Sequence, residues 1–182
     1  MTFTFLFIFG LIASIVTRYY LASRHIRHIS QHREEVPEDF ASKVSLADHH
    51  KAADYTIAKL RLGLFEIALS AAILIGFTLL GGLQYVHNIT LDLLGSGTYQ
   101  QITLLISISI ITGMIDLPFS LYRQFGIEEK FGFNRMTVGL FLTDMVKGLI
   151  LSLAIGLPLL WVVLTLMAHA GEYWWVLTWM SG

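Results

Sequence analysis

Apolar residues fall into four long blocks, and polar residues gather in the stretches between them. A helix needs about 20 consecutive apolar residues to cross the hydrocarbon core of a bilayer. Blocks of that kind run over about 3–21, 62–86, 102–121 and 138–168. The pattern predicts an all-α, multi-pass transmembrane helix bundle with four complete spans. A fifth block opens at 173 in "GEYWWVLTWMSG", where Tyr173, Trp174, Trp175 and Trp179 are spaced like an interfacial aromatic belt. Only about ten residues follow, too few to cross about 30 Å at 1.5 Å per residue. The block reads either as a segment lying at the interface or as a fifth span that is cut short.

The polar positions give the bundle a direction. All twelve Lys and Arg lie within Arg18–Arg61 and Arg123–Lys147. Cytoplasmic loops carry the excess of basic residues, so 22–61 and 122–137 are expected in the cytoplasm. The 87–100 segment and the turn from Ala168 to Glu172, which carry only Asp92 and Glu172 as charges, are then expected outside, as is the N-terminus. The basic residues of the first block follow its apolar run, the reverse of a signal peptide, so this block reads as an uncleaved anchor. Charged residues make up 14% of the chain, against about 25% in soluble domains. A net charge of −1 gives no case for a nucleic-acid partner. Without cysteine there is no disulfide, thiolate metal site or thiol nucleophile.

The first polar stretch is interrupted by Pro37 in "EEVPEDF" and restarts at Ser45, which forms a capping box with Asp48 three residues on. No proline follows until Pro118. A helix from Leu46 to Gly82 would be roughly 55 Å long, so some five turns should stand clear of a core of about 30 Å. Such a projection either docks a partner or lies on the headgroups as an amphipathic helix.

Candidate chemistry is sparse. His25, His28 and His32 share one helical face, but Arg24, Arg27 and Arg33 crowd it. His28 and His32 have the spacing of a zinc-peptidase helix without the Glu between them. His49 and His50 are adjacent and point to different faces, and Gly95-Ser-Gly97 is a plain turn. No Ser/His/Asp grouping or phosphate-cradling loop is present, and no catalytic or metal-binding residue is assigned. Glu66, Asp116 and Asp144 are carboxylates near membrane depth, each toward the basic end of its block. They fit a polar vestibule or ordinary interfacial positions. Asp144 and Lys147 stand at i, i+3 and can pair, and Pro158 is expected to kink the fourth block.

The most elaborate connection is "YRQFGIEEKFGFNRMT", residues 122–137. It predicts an elbow in which Gly126 and Gly132 supply tight turns and Phe125, Phe131 and Phe133 pin it to a partner surface. Glu128, Glu129, Lys130 and Arg135 can pair across it. With its surroundings, "LPFSLYRQFGIEEKFGFNRMTVGLFLTDMVKG" resembles the signature of the N-terminal membrane domain of the CAAX prenyl protease 1 family, integral-membrane zinc metallopeptidases. The matching positions are Tyr122, Arg123, Glu129, Lys130, Gly132, Phe133, Asn134, Thr137, Phe141, Asp144 and Lys147. "DYTIAKLR" (54–61) is similar to the start of the family's second span, and "GEYWWVLTW" to the opening of its fifth helix.

The resemblance implies five N-terminal helices preceding a zinc domain. That domain's H-E-x-x-H and downstream Glu have no counterpart in these 182 residues. No ligand is carried over, and the chain alone is expected to be inactive. Zinc is expected in the full-length protein only. The implied role is to form a membrane chamber and dock the cytoplasmic peptidase domain for proteolysis of prenylated or membrane-associated proteins. The implied partners are the bilayer, the chain's own C-terminal peptidase domain and a polypeptide substrate. Bacterial members look closer than eukaryotic ones, which implies a bacterial inner membrane. Alternatives are a stand-alone, non-enzymatic binding or regulatory module, or a transporter using Asp116 and Asp144. The transporter reading lacks the internal repeat that many such folds show.

Overall fold

The computed structural model describes residues 2–36 and 44–170, with the side chains of 168–170 left aside. The expected fifth block from 173 and the Pro37 break lie outside these residues. The described residues form five α-helices and one π-helical segment: α1 (Thr2–Gln31), α2 (Leu46–Thr78), α3 (Gly82–Leu94), α4 (Thr98–Leu121), the π-helical Tyr122–Glu128, and α5 (Val138–Ala170). Four helical runs are long and apolar enough to cross a membrane: Thr2–Gln31, Leu46–Thr78, Thr98–Glu128 and Val138–Met167. The protein is an all-α, multi-pass membrane bundle.

The chain divides into two compact units. The first comprises residues 1–80 and 115–135. Here α1 packs along α2, and the Tyr19 hydroxyl donates to the Leu64 carbonyl at 2.7 Å. The start of α2 is fixed as its sequence suggests. Ser45 is its N-cap, the Ser45 oxygen accepts from the Asp48 amide at 3.1 Å, and its hydroxyl donates to the Asp48 carboxylate at 2.6 Å. That reciprocal cap satisfies amides with no partner inside the helix. With 33 residues, α2 is about 50 Å long, so its polar first turns extend well beyond its apolar part.

The second apolar block does not run to Val86. Helix α2 ends at Thr78, where the amides of Leu79 and Leu80 both donate to the Ile75 carbonyl, at 2.8 and 3.1 Å. Gly81 then turns the chain with φ +81°. That left-handed geometry is the usual helix stop and favours glycine. Residues 82–94 form a separate helix of 13 residues, about 20 Å long and too short to span. The 87–100 stretch is therefore largely helical rather than a loop.

The second unit comprises residues 81–114 and 136–182. Within it, Gln100 at the start of α4 is 4% exposed and Thr90 of α3 is 3% exposed. The Gln100 amide nitrogen lies 2.9 Å from the Thr90 oxygen and 3.1 Å from His87 Nδ1. The Thr90 hydroxyl in turn donates to the His87 carbonyl at 2.9 Å. A buried, mutually satisfied set of this kind holds α3 against the foot of α4. Along α4, Ser107, Ser109 and Thr112 donate to carbonyls four residues back, at 2.7–2.9 Å. Hydroxyls satisfied within their own helix can face hydrocarbon at low cost. Helix α5 continues unbroken through Pro158.

The two kinds of glycine in and after α2 should respond oppositely to alanine. Gly81→Ala forces a left-handed residue to carry a Cβ and should cost about 1–2 kcal/mol. Gly76, inside α2, has open space around its Cβ position, so Gly76→Ala should stabilise by about 0.5–1 kcal/mol. Thermal unfolding in detergent checks the signs, and two shifts in the same direction would contradict the assigned helix end.

Candidate functional site

The first unit contains a small core built from two sequence stretches that are far apart. Leu62, Ile127 and Phe131 are buried together, with Tyr55, Ala58 and Phe119 packed around them. Leu62, Tyr55 and Ala58 come from α2, and Ile127 and Phe131 come from the elbow. The elbow thus folds onto the polar end of α2. The Tyr55 ring meets Phe131 edge-on at 5.6 Å between centroids and Phe133 at 4.8 Å.

Polar contacts fix the register of this docking. The Tyr55 hydroxyl donates to the Glu128 carboxylate at 2.6 Å, and Lys59 Nζ donates to the same hydroxyl at 3.0 Å. Lys59 also lies 3.6 Å from Glu128. The phenol bridges an ammonium and a carboxylate, so both of its hydrogen bonds are charge-assisted and stronger than neutral ones. Farther along α2, Glu66 pairs with Arg123. The same polar part of α2 is tied to the turn after α1, where Arg33 forks onto Asp54 at 2.9 and 2.8 Å. The Asp54 hydrogen bonds push the Arg33 guanidinium further up from its already high range.

The elbow's conformation follows from its glycines and one carbonyl. Gly132 has φ +74°, which lets the chain reverse. The Glu128 carbonyl then accepts from both the Phe133 and Asn134 amides, at 2.8 and 3.1 Å. The Asn134 side-chain oxygen accepts from Gln124 at 2.6 Å and closes the loop on the π-helical segment. Gly126 works differently from the turn glycine that its sequence suggests. It sits inside the π-helical segment, and a Cβ there would lie 2.9 Å from Cδ2 of Tyr122. Glycine is needed so that the Tyr122 ring can lie against the backbone.

The expected site residues thus separate into groups. Tyr122, Arg123, Gly132, Phe133 and Asn134 come together in the elbow. Phe131 and Ile127 are buried beneath it, whereas Glu129, Lys130, Phe133 and Arg135 are exposed. Lys130 lies over the Phe131 ring at 5.6 Å and Lys51 over the Phe133 ring at 5.5 Å. Glu128 pairs with α2 rather than across the elbow.

Thr137 precedes α5, and its hydroxyl oxygen accepts from the Leu140 amide at 3.2 Å. Phe141, Asp144 and Lys147 lie on α5 in the second unit. Among the described residues no salt bridge joins Asp144 to Lys147. Asp116 is an exposed residue of α4, and Glu66 is engaged by Arg123. Among the described residues no group of three or more His, Cys, Asp or Glu could hold a metal. They do not fit a zinc site, and no chemical step is assigned to one. Reading the sequence missed the hub on α2, namely Lys51, Tyr55 and Lys59. Its one local signal is the i, i+4 spacing of Tyr55 and Lys59 inside "DYTIAKLR".

The apolar spans, with one elaborate loop folded back onto the polar end of α2, define a multi-pass membrane domain. Residues 25–182 match the family described as CAAX prenyl protease N-terminal, five membrane helices, and the chain belongs to that family. It is similar to CAAX prenyl protease 1 of Saccharomyces cerevisiae, 30% identical over 163 residues that cover 84% of this chain and 36% of that protein. It is 29% identical to the Homo sapiens homolog over 109 residues, covering 56% of this chain and 23% of that protein. Among solved structures it resembles S. mikatae Ste24p, with a TM-score of 0.81 and 29% identity over 91% of this chain and 40% of the other. The chain spans well under half the length of the curated relatives it matches.

The elbow interface should be energetically coupled. Phe131→Ala should cost about 3–5 kcal/mol as a buried aromatic truncation. Tyr55→Phe and Glu128→Gln should each cost about 1.5–3 kcal/mol. The double variant should cost little more than the worse single one. Chemical unfolding in detergent measures all of these, and strict additivity of the pair would refute a direct bond.

Proposed function

We propose that this chain is the N-terminal membrane domain of a CAAX prenyl protease-type zinc metalloendopeptidase. Its elbow and the projecting end of α2 form the surface on which the peptidase domain of the full-length protein seats. The observation that carries this reading is the division of the motif. Ile127 and Phe131 anchor the elbow to α2, whereas Phe133 remains 54% exposed beside exposed Glu129, Lys130 and Arg135. A half-exposed aromatic ringed by charges of both signs has the composition of a docking patch, with an apolar anchor and a polar rim.

The clustering of basic residues supports a cytoplasmic position for this surface under the positive-inside rule. The zinc, its ligands and the general base belong to the remainder of the full-length protein. The membrane domain contributes position, holding a prenylated or otherwise membrane-associated polypeptide and the peptidase domain at one interface.

The test uses the full-length protein in detergent or nanodiscs. Cleavage of a prenylated peptide should stop on zinc chelation and return with added zinc. Phe133→Ala and Gly132→Ala should lower kcat/KM by about 10- to 100-fold, the effect of slightly misplacing catalytic groups, while bound zinc stays at the wild-type level. Wild-type kcat/KM in both folded variants would remove the docking role.

A further inference from the structure

Outside the elbow, the described residues of the first unit form a polar-mouthed groove between two membrane-spanning helices. It lies between α1 and α2, has a volume of about 500 Å³, and is lined by Leu11, Ser14, Ile15 and Arg18 of α1 and by one face of α2 between Gly63 and Leu74. From Gly63 to Leu74 the helical rise is about 16 Å, roughly half of a core of about 30 Å, or the depth of one leaflet. The deep end is mainly apolar, with Leu11, Ile67, Ala71 and Leu74; Ser14 and Ser70 lie along its length, and the mouth carries Arg18 and Glu66. The groove has the length and polarity of one lipid chain and its headgroup.

Charge decides which headgroup. Glu66 is already taken by Arg123. Among the described residues no carboxylate lies within salt-bridge distance of Arg18. Helix α1 has no acidic residue, and one to three turns beyond Arg18 it adds Arg24, His25, Arg27 and His28. An arginine placed inside an apolar stretch without a protein counter-ion is costly. A headgroup phosphate at the same depth supplies the missing charge and can accept from the guanidinium fork. The Tyr19 hydroxyl bond to the Leu64 carbonyl, one residue beyond Arg18, keeps the two helices together at the mouth.

We propose that this groove is a specific phospholipid site. A lipid with a net-negative headgroup binds with its phosphate on Arg18 and one acyl chain along Ile15, Ile67, Ala71 and Leu74. Arg18 lies before residue 25, where the family match begins, whereas the α2 side of the groove lies within it. The site does not rest on the peptidase reading, because it is read out by lipid binding alone.

Native mass spectrometry of the full-length protein, delipidated and titrated with phosphatidylglycerol or with phosphatidylcholine of the same chains, tests it. The wild type should bind one phosphatidylglycerol in preference to phosphatidylcholine. Arg18→Gln should weaken phosphatidylglycerol by about fivefold, the contribution of one basic residue near an anionic surface, and phosphatidylcholine, whose phosphate is offset by its choline cation, by less. Arg18→Lys should keep most of the preference. Gly63 has open space at its Cβ position, so Gly63→Leu should fill the groove and weaken both lipids. Ala13→Leu, on an exposed part of α1 outside the groove, should bind like the wild type. Equal wild-type affinity for the two lipids would overturn the proposal, as would wild-type binding in both Arg18→Gln and Gly63→Leu. If Arg18→Gln does not fold, Arg18→Lys and Gly63→Leu decide: retained preference in the first with loss in the second supports the site, and any other pair overturns it.

Discussion

The docking of the elbow on α2 is the contact on which the first unit depends. Among the described residues the buried apolar side chains are Ala53, Leu62, Ile127 and Phe131. All four lie at the polar end of α2 or in the elbow, and none lies deep within an apolar span. That distribution has a physical reason. Inside a bilayer, lipid tails are as apolar as leucine, so burying a side chain between helices gains little from the hydrophobic effect. Where the helices leave the hydrocarbon and meet water, the effect returns at about 25 cal/mol per Å². The core of this unit therefore forms at the membrane edge. The spans themselves keep residues such as Phe3 and Phe9 exposed, at 80% and 73%, for contact with lipid.

Charged groups are arranged by the same boundary. Near the edge, carboxylates and cations can be partly solvated, and pairing them fixes geometry more than it adds stability. Arg123 with Glu66 and Glu128 with Tyr55 and Lys59 join α2 to the elbow at two levels, so the elbow can neither slide nor rotate along the helix. The Arg33 fork on Asp54 does the same for the turn after α1. Helix α2 is thus held at its polar end by the turn after α1 and by the elbow. Its length beyond the hydrocarbon is used for that, whatever else docks on it.

Much of this was legible in the sequence, and the failures have identifiable causes. The apolar blocks give the helices because a spanning helix has to satisfy its own backbone and so needs an uninterrupted run. The Ser45–Asp48 cap was legible because its chemistry is local. The end of α2 was not, because hydropathy continues through Leu79, Leu80 and Leu83 while the break is made by the backbone of Gly81. Gly126 and Gly132 look alike in sequence, yet one makes room for a ring and the other takes a left-handed turn. That distinction depends on the π-helical register of Tyr122–Glu128, which no local pattern announces. The Tyr55–Glu128 bond joins residues 73 apart, and only the folded chain brings them together.

The family motif therefore encodes a fold before it encodes chemistry. Tyr122 needs Gly126, Arg123 holds Glu66, Gly132 reverses the chain, and Asn134 closes it on Gln124. Each of these roles is completed within the elbow and α2, and none requires a metal or a substrate. Glu129 and Arg135 differ, because their side chains are exposed and enter no ion pair among the described residues. Long charged side chains on a rigid turn retain their freedom until something orders them, and ordering them costs entropy that only a partner can offset. A loop that fixes its backbone so tightly while leaving these side chains and the Phe133 ring outward is preorganised for contact. A fixed backbone below and exposed side chains above are the arrangement on which the proposed docking rests.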